Sequence, residues 1–210
     1  MLYLNVPYEE KEKVKSMYAR WDKDKKKWYA TNSKFYFRFK EWLEGSSVAQ
    51  NKVYIAVASR VCWKCNKSTP VYALAIKAED IIDLENNIKD MEGETGYDMA
   101  IIPIDYNLPK DIKSYLEKNT ACKVTYSNTT KTNYFANVCE YCNALQGAFF
   151  VYDEFDSPFK RNNDGSIKFI EFTLEQDISV DYEVGSALIS PAIQLFDENN
   201  VVNSYMKISE

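Results

Sequence analysis

The sequence predicts an α+β protein in which a small β-α-β-β-α module precedes a larger mixed α+β domain with a two-knuckle, four-cysteine zinc site. Three observations predict this fold class: short apolar segments that switch between strand and helix periodicity, a change of charge near residue 45, and two widely separated C-x-x-C pairs. Hydrophobic residues make up 46% of the 210 residues, and the 16 Tyr and 11 Phe need a buried core. The chain is therefore expected to be compact.

Residues 1–45 have the periodicity expected of the small module. Apolar residues first alternate with a period of two and then recur at helical spacing among charged residues. The predicted elements are a strand over 2–6, a helix over 9–19, two strands joined by a charged turn within 21–28, and a final helix. Asn32 or Ser33 can cap this last helix. Its apolar face is predicted from α-helical spacing to consist of Phe35, Phe39, Trp42 and Leu43.

Residues 46–210 alternate apolar segments with turns. The clearest helix is predicted from Glu79 to Met91, where an apolar stripe recurs at helical spacing. Glu79, Asp80 and Asp83 are expected on the exposed face of this helix rather than in a metal site. A shorter helix is predicted after Pro109, up to 119. The predicted strands cover 53–57, 71–76, 148–152, 167–174 and 192–196, with a hairpin over 122–126 and 132–138 and a turn at 163–165.

The charge changes at Gly45-Ser46-Ser47, which has the composition of a linker or sharp turn. Residues 1–45 hold 11 Lys and Arg against 7 Asp and Glu, a net charge of +4, and residues 46–210 hold 15 against 24, a net charge of −9. We therefore predict a basic domain over 1–45 and an acidic, zinc-binding domain over 46–210. The acidic domain argues against nonspecific binding of nucleic acid by the whole molecule.

The chain contains no histidine, which excludes Ser-His and Cys-His nucleophile pairs and every His-containing metal site. Neither the G-x-x-x-x-G-K-[ST] phosphate loop nor the G-x-G-x-x-G fingerprint occurs. No apolar run approaches the roughly 20 residues of a membrane-spanning helix, and the start lacks the pattern of a secretion signal. A cytoplasmic protein without a membrane partner is therefore expected.

Four of the five cysteines form two C-x-x-C pairs, Cys62 with Cys65 and Cys139 with Cys142, with 73 residues between the pairs. Two such pairs are the ligand set of a tetrahedral four-cysteine zinc site, and four thiolates leave no open position, so the zinc is expected to be structural. Asparagine follows each pair, at 66 and 143. Thiolate turns need a residue that tolerates positive φ at this point, which favours the zinc interpretation.

Two other interpretations of the cysteines stay open. The pairs could be independent redox or buried thiol pairs, or they could hold an iron–sulfur cluster. The fifth cysteine, Cys122, lies in a predicted strand, where we expect a buried, inert thiol.

Two segments resemble known families. The stretches 4–8, 19–22, 27–29 and 42–43 resemble a short domain of unknown function found at the start of plasmid primases and of uncharacterised bacterial and phage proteins, in which Gly usually stands where this chain has Tyr18. The pattern Ala19-Arg20-Trp21-Asp22 also resembles accessory domains of annealing helicases, which engage branched or single-stranded DNA. The stretch 139–150, with 62–65, is similar to a zinc-binding region of the same uncharacterised proteins. The resemblance of the cysteine-containing stretches implies zinc ligation and no reaction.

The charged turn of the module suggests contact with nucleic acid, because cations can bind phosphates and flat rings can stack on bases. The candidate residues are Arg20, Trp21, Lys25, Lys26, Lys27 and Trp28. The simpler alternative, which we favour at this point, is that both tryptophans pack against Phe39 and Trp42 while the lysines form a solvated turn.

The sequence therefore favours a non-enzymatic binding or adaptor protein, from a mobile element or phage, whose module contacts single-stranded or branched nucleic acid or a protein partner. Two other classes stay open: a His-free enzyme, either a carboxylate-based hydrolase or nuclease or a C-x-x-C redox protein, and an inhibitor that sequesters a host protein.

Overall fold

The N-terminal module is a three-stranded antiparallel sheet covered by short helical segments. The structure is a computed structural model that describes residues 1–85, 98–105, 107–159, 166–182, 192–193 and 196–208. The module strands are β1 (Leu2–Leu4), β2 (Arg20–Asp22) and β3 (Lys27–Ala30), in the order β1-β3-β2. A 3-10 turn (Tyr8–Glu10) leads into α1 (Lys11–Ser16), and a longer 3-10 helix covers Ser33–Trp42. This order of elements confirms the predicted module.

The last helix of the module differs from the prediction in its type. Because a 3-10 helix has three residues per turn, Tyr36, Phe39 and Trp42 share one face and are buried. Phe35, which α-helical spacing assigned to that face, is exposed. The predicted cap is confirmed, since the Asn32 side chain accepts a hydrogen bond from the Lys34 N–H at 3.1 Å.

The larger part of the chain is built on a six-stranded mixed sheet. Its strands, in spatial order, are β13 (Ala192–Ile193), β8 (Met99–Pro103), β6 (Ser68–Lys77), β5 (Lys52–Val61), β11 (Lys168–Leu174) and β14 (Val201–Ile208). Only the β11–β14 pair of this sheet is parallel. Both faces are buried: Val53 and Ile55 of β5 belong to a core that includes α2 (Lys110–Asn119), and Tyr54 and Ala56 to a core on the other face. The sheet confirms the predicted mixed α+β class.

A second sheet joins the module to the larger part. It contains β12 (Ile178–Val180), β4 (Ser47–Ala49) and β7 (Ile81–Asp83), in that order and all antiparallel. Val48, Ile82 and Leu84 belong to the same hydrophobic cluster as the core of the module. A Cβ atom on Gly45 would lie 2.1 Å from the Val180 carbonyl oxygen, so glycine is required there by close backbone contact. The division of the chain after residue 45 stays a prediction.

A separate two-stranded hairpin precedes the second cysteine pair. Its strands are β9 (Lys123–Tyr126) and β10 (Asn133–Ala136), which pair in antiparallel fashion. This confirms the hairpin predicted from the sequence.

The predicted helix from Glu79 to Met91 is wrong where the structure describes it. Ala78–Asp80 form a 3-10 turn and β7 follows, because Ile81 and Ile82 pair with β4, and this tertiary pairing overrides the helical spacing. Asp80 and Asp83 are buried rather than exposed, although Glu79 is exposed as expected. The rest of that predicted helix, at 86–91, lies outside the described residues.

The predicted strand over 148–152 is also wrong, because Phe149–Asp153 form a π-helical turn. Its Val151 and Tyr152 are buried side by side while Phe149 and Phe150 are exposed, which is not the alternation of a strand. The sequence reading missed β4, β8, β12 and β14, and the predicted turn at 163–165 lies outside the described residues. Among the helices that the structure describes, none is long and apolar enough to cross a membrane.

Candidate metal centre and nucleic-acid interface

Four cysteines from two distant parts of the chain meet at one point. Cys62 and Cys65 lie in the turn between β5 and β6, and Cys139 and Cys142 lie in a turn closed by an isolated β-bridge. Their four sulfur atoms all lie within 4.8 Å of one another. Two of these separations join the two turns: the Sγ atoms are 3.7 Å apart in both the Cys62–Cys142 and the Cys65–Cys139 pair.

The two turns have the same backbone geometry. The Asn66 N–H donates to the Cys62 carbonyl and the Asn143 N–H to the Cys139 carbonyl, both at 2.9 Å. In each turn the N–H of the first cysteine also donates, at 2.9 Å, to the carbonyl five residues later. Asn66 and Asn143 both have a φ of 56°, which confirms the positive φ predicted at these two positions.

The electrostatics of the cluster favour a bound cation. Burial raises the pKa of Cys62, but backbone N–H groups of Cys65 and Lys64 and the neighbouring sulfurs outweigh it and lower the pKa to about 6. For Cys139 burial is likewise outweighed by backbone N–H groups, and its pKa is lowered. A backbone N–H also favours the thiolate of Cys142, but burial and the three neighbouring sulfurs raise its pKa to about 12. Four thiolates therefore need a positive ion between them.

The distances match a tetrahedral metal site. Zinc–sulfur bonds of about 2.3 Å place the corners of a tetrahedron about 3.8 Å apart, close to the two 3.7 Å sulfur separations. A disulfide needs sulfurs about 2.05 Å apart, and all five cysteines are free thiols. The four cysteines could therefore hold one metal ion, as their spacing predicts.

Neighbouring side chains hold the two cysteine turns together. Gln146 is buried, and its Nε2 lies 3.5 Å from the Cys62 sulfur and donates to the Ala144 carbonyl at 2.8 Å. The indole N–H of Trp63 donates to the Leu145 carbonyl at 2.8 Å, which links the first turn to the second. Such contacts orient the ligands of a closed metal site.

The fifth cysteine lies outside this cluster. Cys122 is buried, and burial raises its pKa to about 11 although the side chain of Thr120 opposes the shift. Its sulfur lies 3.5 Å from the side-chain oxygen of Asn137. A thiol in this environment stays protonated at neutral pH.

A second candidate site is a groove of about 590 Å³ on the module. Residues from β1, β2, β3 and the start of α1 line it, which are Leu4, Asn5, Val6, Tyr8, Lys11, Trp21, Lys26, Lys27 and Trp28. We call these nine residues the aromatic groove. It combines exposed rings with Lys11 and Lys26, and Lys27 borders both this groove and a neighbouring polar pocket. Rings and amines are the chemistry that binds bases and phosphates.

The structure brings together four of the six residues predicted to contact nucleic acid. Trp21, Lys26, Lys27 and Trp28 line the aromatic groove. The Lys25 amine is 2.7 Å from the side-chain oxygen of Gln176 and 4.6 Å from the Tyr3 ring centre, on the other face of the module. Arg20 is exposed on β2, where strand geometry directs it away from the face of its neighbour Trp21.

The expectation that both tryptophans are core residues is half wrong. Trp28 is partly buried against the core of the module, whereas Trp21 is 47% exposed and meets Trp28 edge-on, with ring centres 5.5 Å apart. The sequence reading missed Tyr8 and Lys11, which come from a different element of the module. Their separation by three residues at the start of a helix was the available signal.

Known proteins resemble this chain in its N-terminal module. Residues 1–44 match a family described as Domain of unknown function (DUF5710), which confirms the first resemblance. DNA primase TraC of Escherichia coli is 40% identical over 47 residues, which are 22% of this chain. The chain covers about 3% of the length of that primase. No solved structure matches the chain.

The structure also shows the backbone at Tyr18, where the resemblance leads us to expect glycine. Tyr18 has a φ of 68°, the left-handed conformation that Gly adopts without strain. The Tyr18 N–H donates to the Lys15 carbonyl and the Ala19 N–H to the Val14 carbonyl, both at 3.0 Å. These two bonds form the Schellman motif that ends α1, so this chain makes a glycine-type turn with tyrosine.

Proposed function

We propose that this chain is a zinc-stabilised, non-enzymatic binding protein whose N-terminal module contacts nucleic acid through the aromatic groove. The observation that carries the proposal is the groove itself, in which Lys11, Lys26 and Lys27 stand beside exposed rings. The net charge of +4 over residues 1–45 supports an anionic partner for the module. A segment of 47 residues is 40% identical to part of a protein named DNA primase. This similarity, together with the resemblance of the module to plasmid primases, supports nucleic acid as the partner.

Zinc is the metal that the donor set supports best. Four cysteine thiolates in tetrahedral spacing suit zinc, and the chain supplies no histidine or open ligand position for catalysis. The metal would fix the β5–β6 turn to residues 139–142, a structural role. Metal analysis of purified protein should give about one zinc per chain. A zinc-free protein that readily forms disulfides would instead support the redox alternative.

Binding of nucleic acid can be tested with two adjacent lysines. Lys26→Ala removes an amine from the groove, and Lys25→Ala removes the same charge from the opposite face. In a salt series with a fluorescent oligonucleotide, Lys26→Ala should weaken binding and lower the salt slope by about 1, because one phosphate contact is lost. Lys25→Ala should leave both quantities close to those of the parent protein.

Two results would reject the proposal. One is an affinity and salt slope that respond equally to both lysine changes, since the groove would then not be the contact surface. The other is the absence of binding to any single-stranded, forked or duplex probe at low salt, where electrostatic contacts are strongest.

A further inference from the structure

We propose that the aromatic groove takes an unpaired nucleobase between Tyr8 and Trp21, so that the module selects single-stranded nucleic acid over duplex. This inference rests on the proposed function and specifies its ligand. The ligand chemistry is a flat unpaired base joined to a phosphate.

The groove has an apolar floor between two exposed rings. Leu4 is buried, and Val6 and Trp28 are partly buried against the module core, so these three side chains form the fixed floor of the groove. Above them, Tyr8 is 76% and Trp21 is 47% exposed. Both rings line the same groove, and a large part of each is accessible to a ligand. A flat aromatic ligand can bury this apolar surface from water.

Contacts within the module already hold the two rings. The Lys11 amine lies 3.9 Å from the centre of the Tyr8 ring. Trp21 packs edge-on against Trp28, with an angle of 61° between the ring planes. A stacking surface that is ordered before binding loses less side-chain entropy when the ligand arrives.

The charges that line the groove are all positive. Lys11, Lys26 and Lys27 line it, and no carboxylate does so among these nine described residues. A neighbouring polar pocket shares Asn5 and Lys27 with the groove, and Glu44 and Asp181 line that pocket. A phosphate attached to a bound base would therefore meet Lys11 and Lys26 on the part of the groove that lies away from this pocket.

Duplex nucleic acid cannot use this arrangement fully. In a duplex both faces of each base are stacked on neighbouring bases, so only the phosphates would reach the three lysines. An unpaired base offers a free face to tyrosine or tryptophan, and such stacking contributes about tenfold or more in affinity per base. The groove therefore favours single strands.

The experiment measures the binding of four probes to the 210-residue protein. They are a 12-nucleotide oligothymidylate, an abasic phosphodiester of the same length, a 12-base-pair duplex and free thymidine monophosphate. We expect the oligothymidylate to bind about tenfold or more tightly than the abasic strand and the duplex, and the mononucleotide to compete only weakly. Tight binding of the mononucleotide alone would identify a free nucleotide as the ligand and overturn the inference.

Variants assign this difference to the groove. Tyr8→Ala and Trp21→Ala should each lower oligothymidylate affinity about tenfold and leave the abasic strand almost unaffected, whereas Trp21→Phe should retain most of the affinity. Tyr18→Ala is the matched control, because Tyr18 is an 85% exposed tyrosine of the same module that does not line the groove. Circular dichroism and thermal unfolding check that each variant is folded.

The outcomes separate the inference from the proposed function. Equal binding of the abasic strand or of the duplex would overturn base stacking while leaving a phosphate-binding module. Equal losses of oligothymidylate affinity in Tyr8→Ala and Tyr18→Ala would also overturn the inference that a base binds between Tyr8 and Trp21. If no nucleic-acid probe binds, the proposed function and the inference both fail.

Discussion

Left-handed backbone conformations show how single residues shape this chain. Within the described residues, the non-glycine positions with positive φ are Tyr18, Lys26, Asn51, Asn66, Lys131 and Asn143. Asparagine tolerates this conformation, because its short polar side chain can bond locally. Tyrosine has no such compensation, so Tyr18 adds strain at the end of α1.

We expect Tyr18→Gly to stabilise the protein by about 1 kcal/mol, because glycine adopts positive φ without the penalty of a Cβ atom. The exposed tyrosine ring loses little packing on removal, since 85% of the residue is accessible. Tyr18→Ala keeps the Cβ atom and should change the stability much less. Urea unfolding of the three proteins measures the difference, and a glycine variant no more stable than the alanine variant would contradict it.

Asp105 should make the protein less stable at neutral pH. Its Oδ1 atom is buried without a hydrogen-bond partner, and burial raises its pKa even though its own backbone N–H opposes the shift. The folded-state pKa lies above the unfolded value of 3.8. As the pH rises from the unfolded pKa to the folded pKa, ionisation of this carboxyl group therefore lowers the free energy of unfolding. We expect Asp105→Asn to stabilise the protein at pH 7, by on the order of 1 kcal/mol, and to have no such effect below about pH 4.

Asp22 provides a control of opposite sign. The Tyr3 hydroxyl donates to it at 2.6 Å, and this bond, followed by a backbone N–H, lowers its pKa. Its stabilising effect is present above the unfolded pKa and is lost as the pH falls through the lower folded value, so Asp22→Asn should destabilise the protein at pH 7. Urea unfolding at pH 4 and pH 7 tests both variants, and equal signs at pH 7 would contradict the assignment.

At the scale of elements, local patterns predicted the structure wherever local forces decide it. Alternation in Leu2–Leu4 and the apolar segments of β5 and β6 identified strands, and the C-x-x-C spacing identified the four cysteines that meet. The failures lie where distant partners decide. Ile81 and Ile82 fit a helical stripe in sequence but pair with β4 in space, and Tyr8 joins Trp21 in the groove only through the fold. Neither partner could be found from spacing alone.

The cysteine turns are the elements whose stability should depend most on metal. A chelator would remove the metal and leave the cysteines protonated or repelling one another, and Cys139→Ser would remove one of the four ligands. We expect either change to lower the free energy of unfolding by about 3 kcal/mol or more. Cys122→Ala is the matched control, since it removes a buried thiol outside the cluster and should leave the zinc content unchanged. Metal analysis and thermal unfolding follow both effects. A chelated protein with an unchanged transition would show that no structural metal is bound.

At the scale of the whole molecule, the module and the larger part share a hydrophobic cluster and a hydrogen-bonded carboxylate. The buried cluster of the module includes Val48, Ile82 and Leu84, which lie outside residues 1–45. The Tyr36 hydroxyl donates to the Asp177 carboxylate at 2.6 Å, and the Gln50 amide donates to the same carboxylate at 3.1 Å. The core on which Phe39 and Trp42 depend is therefore completed by residues beyond the segment that matches the family.

A peptide of residues 1–45 should consequently not fold stably by itself. It would expose apolar surface that Val48, Ile82 and Leu84 cover in the full chain, and about 45 residues form too small a core to tolerate that loss. We expect weak circular dichroism and no cooperative unfolding, because Trp42, which is 3% exposed in the full chain, would lose part of its cover. The full chain with Asp177→Ala serves as a milder comparison, because it removes the carboxylate that Tyr36 and Gln50 contact and should remain folded with a lower melting temperature. A cooperative transition in the isolated peptide would show instead that residues 1–45 are an independent domain.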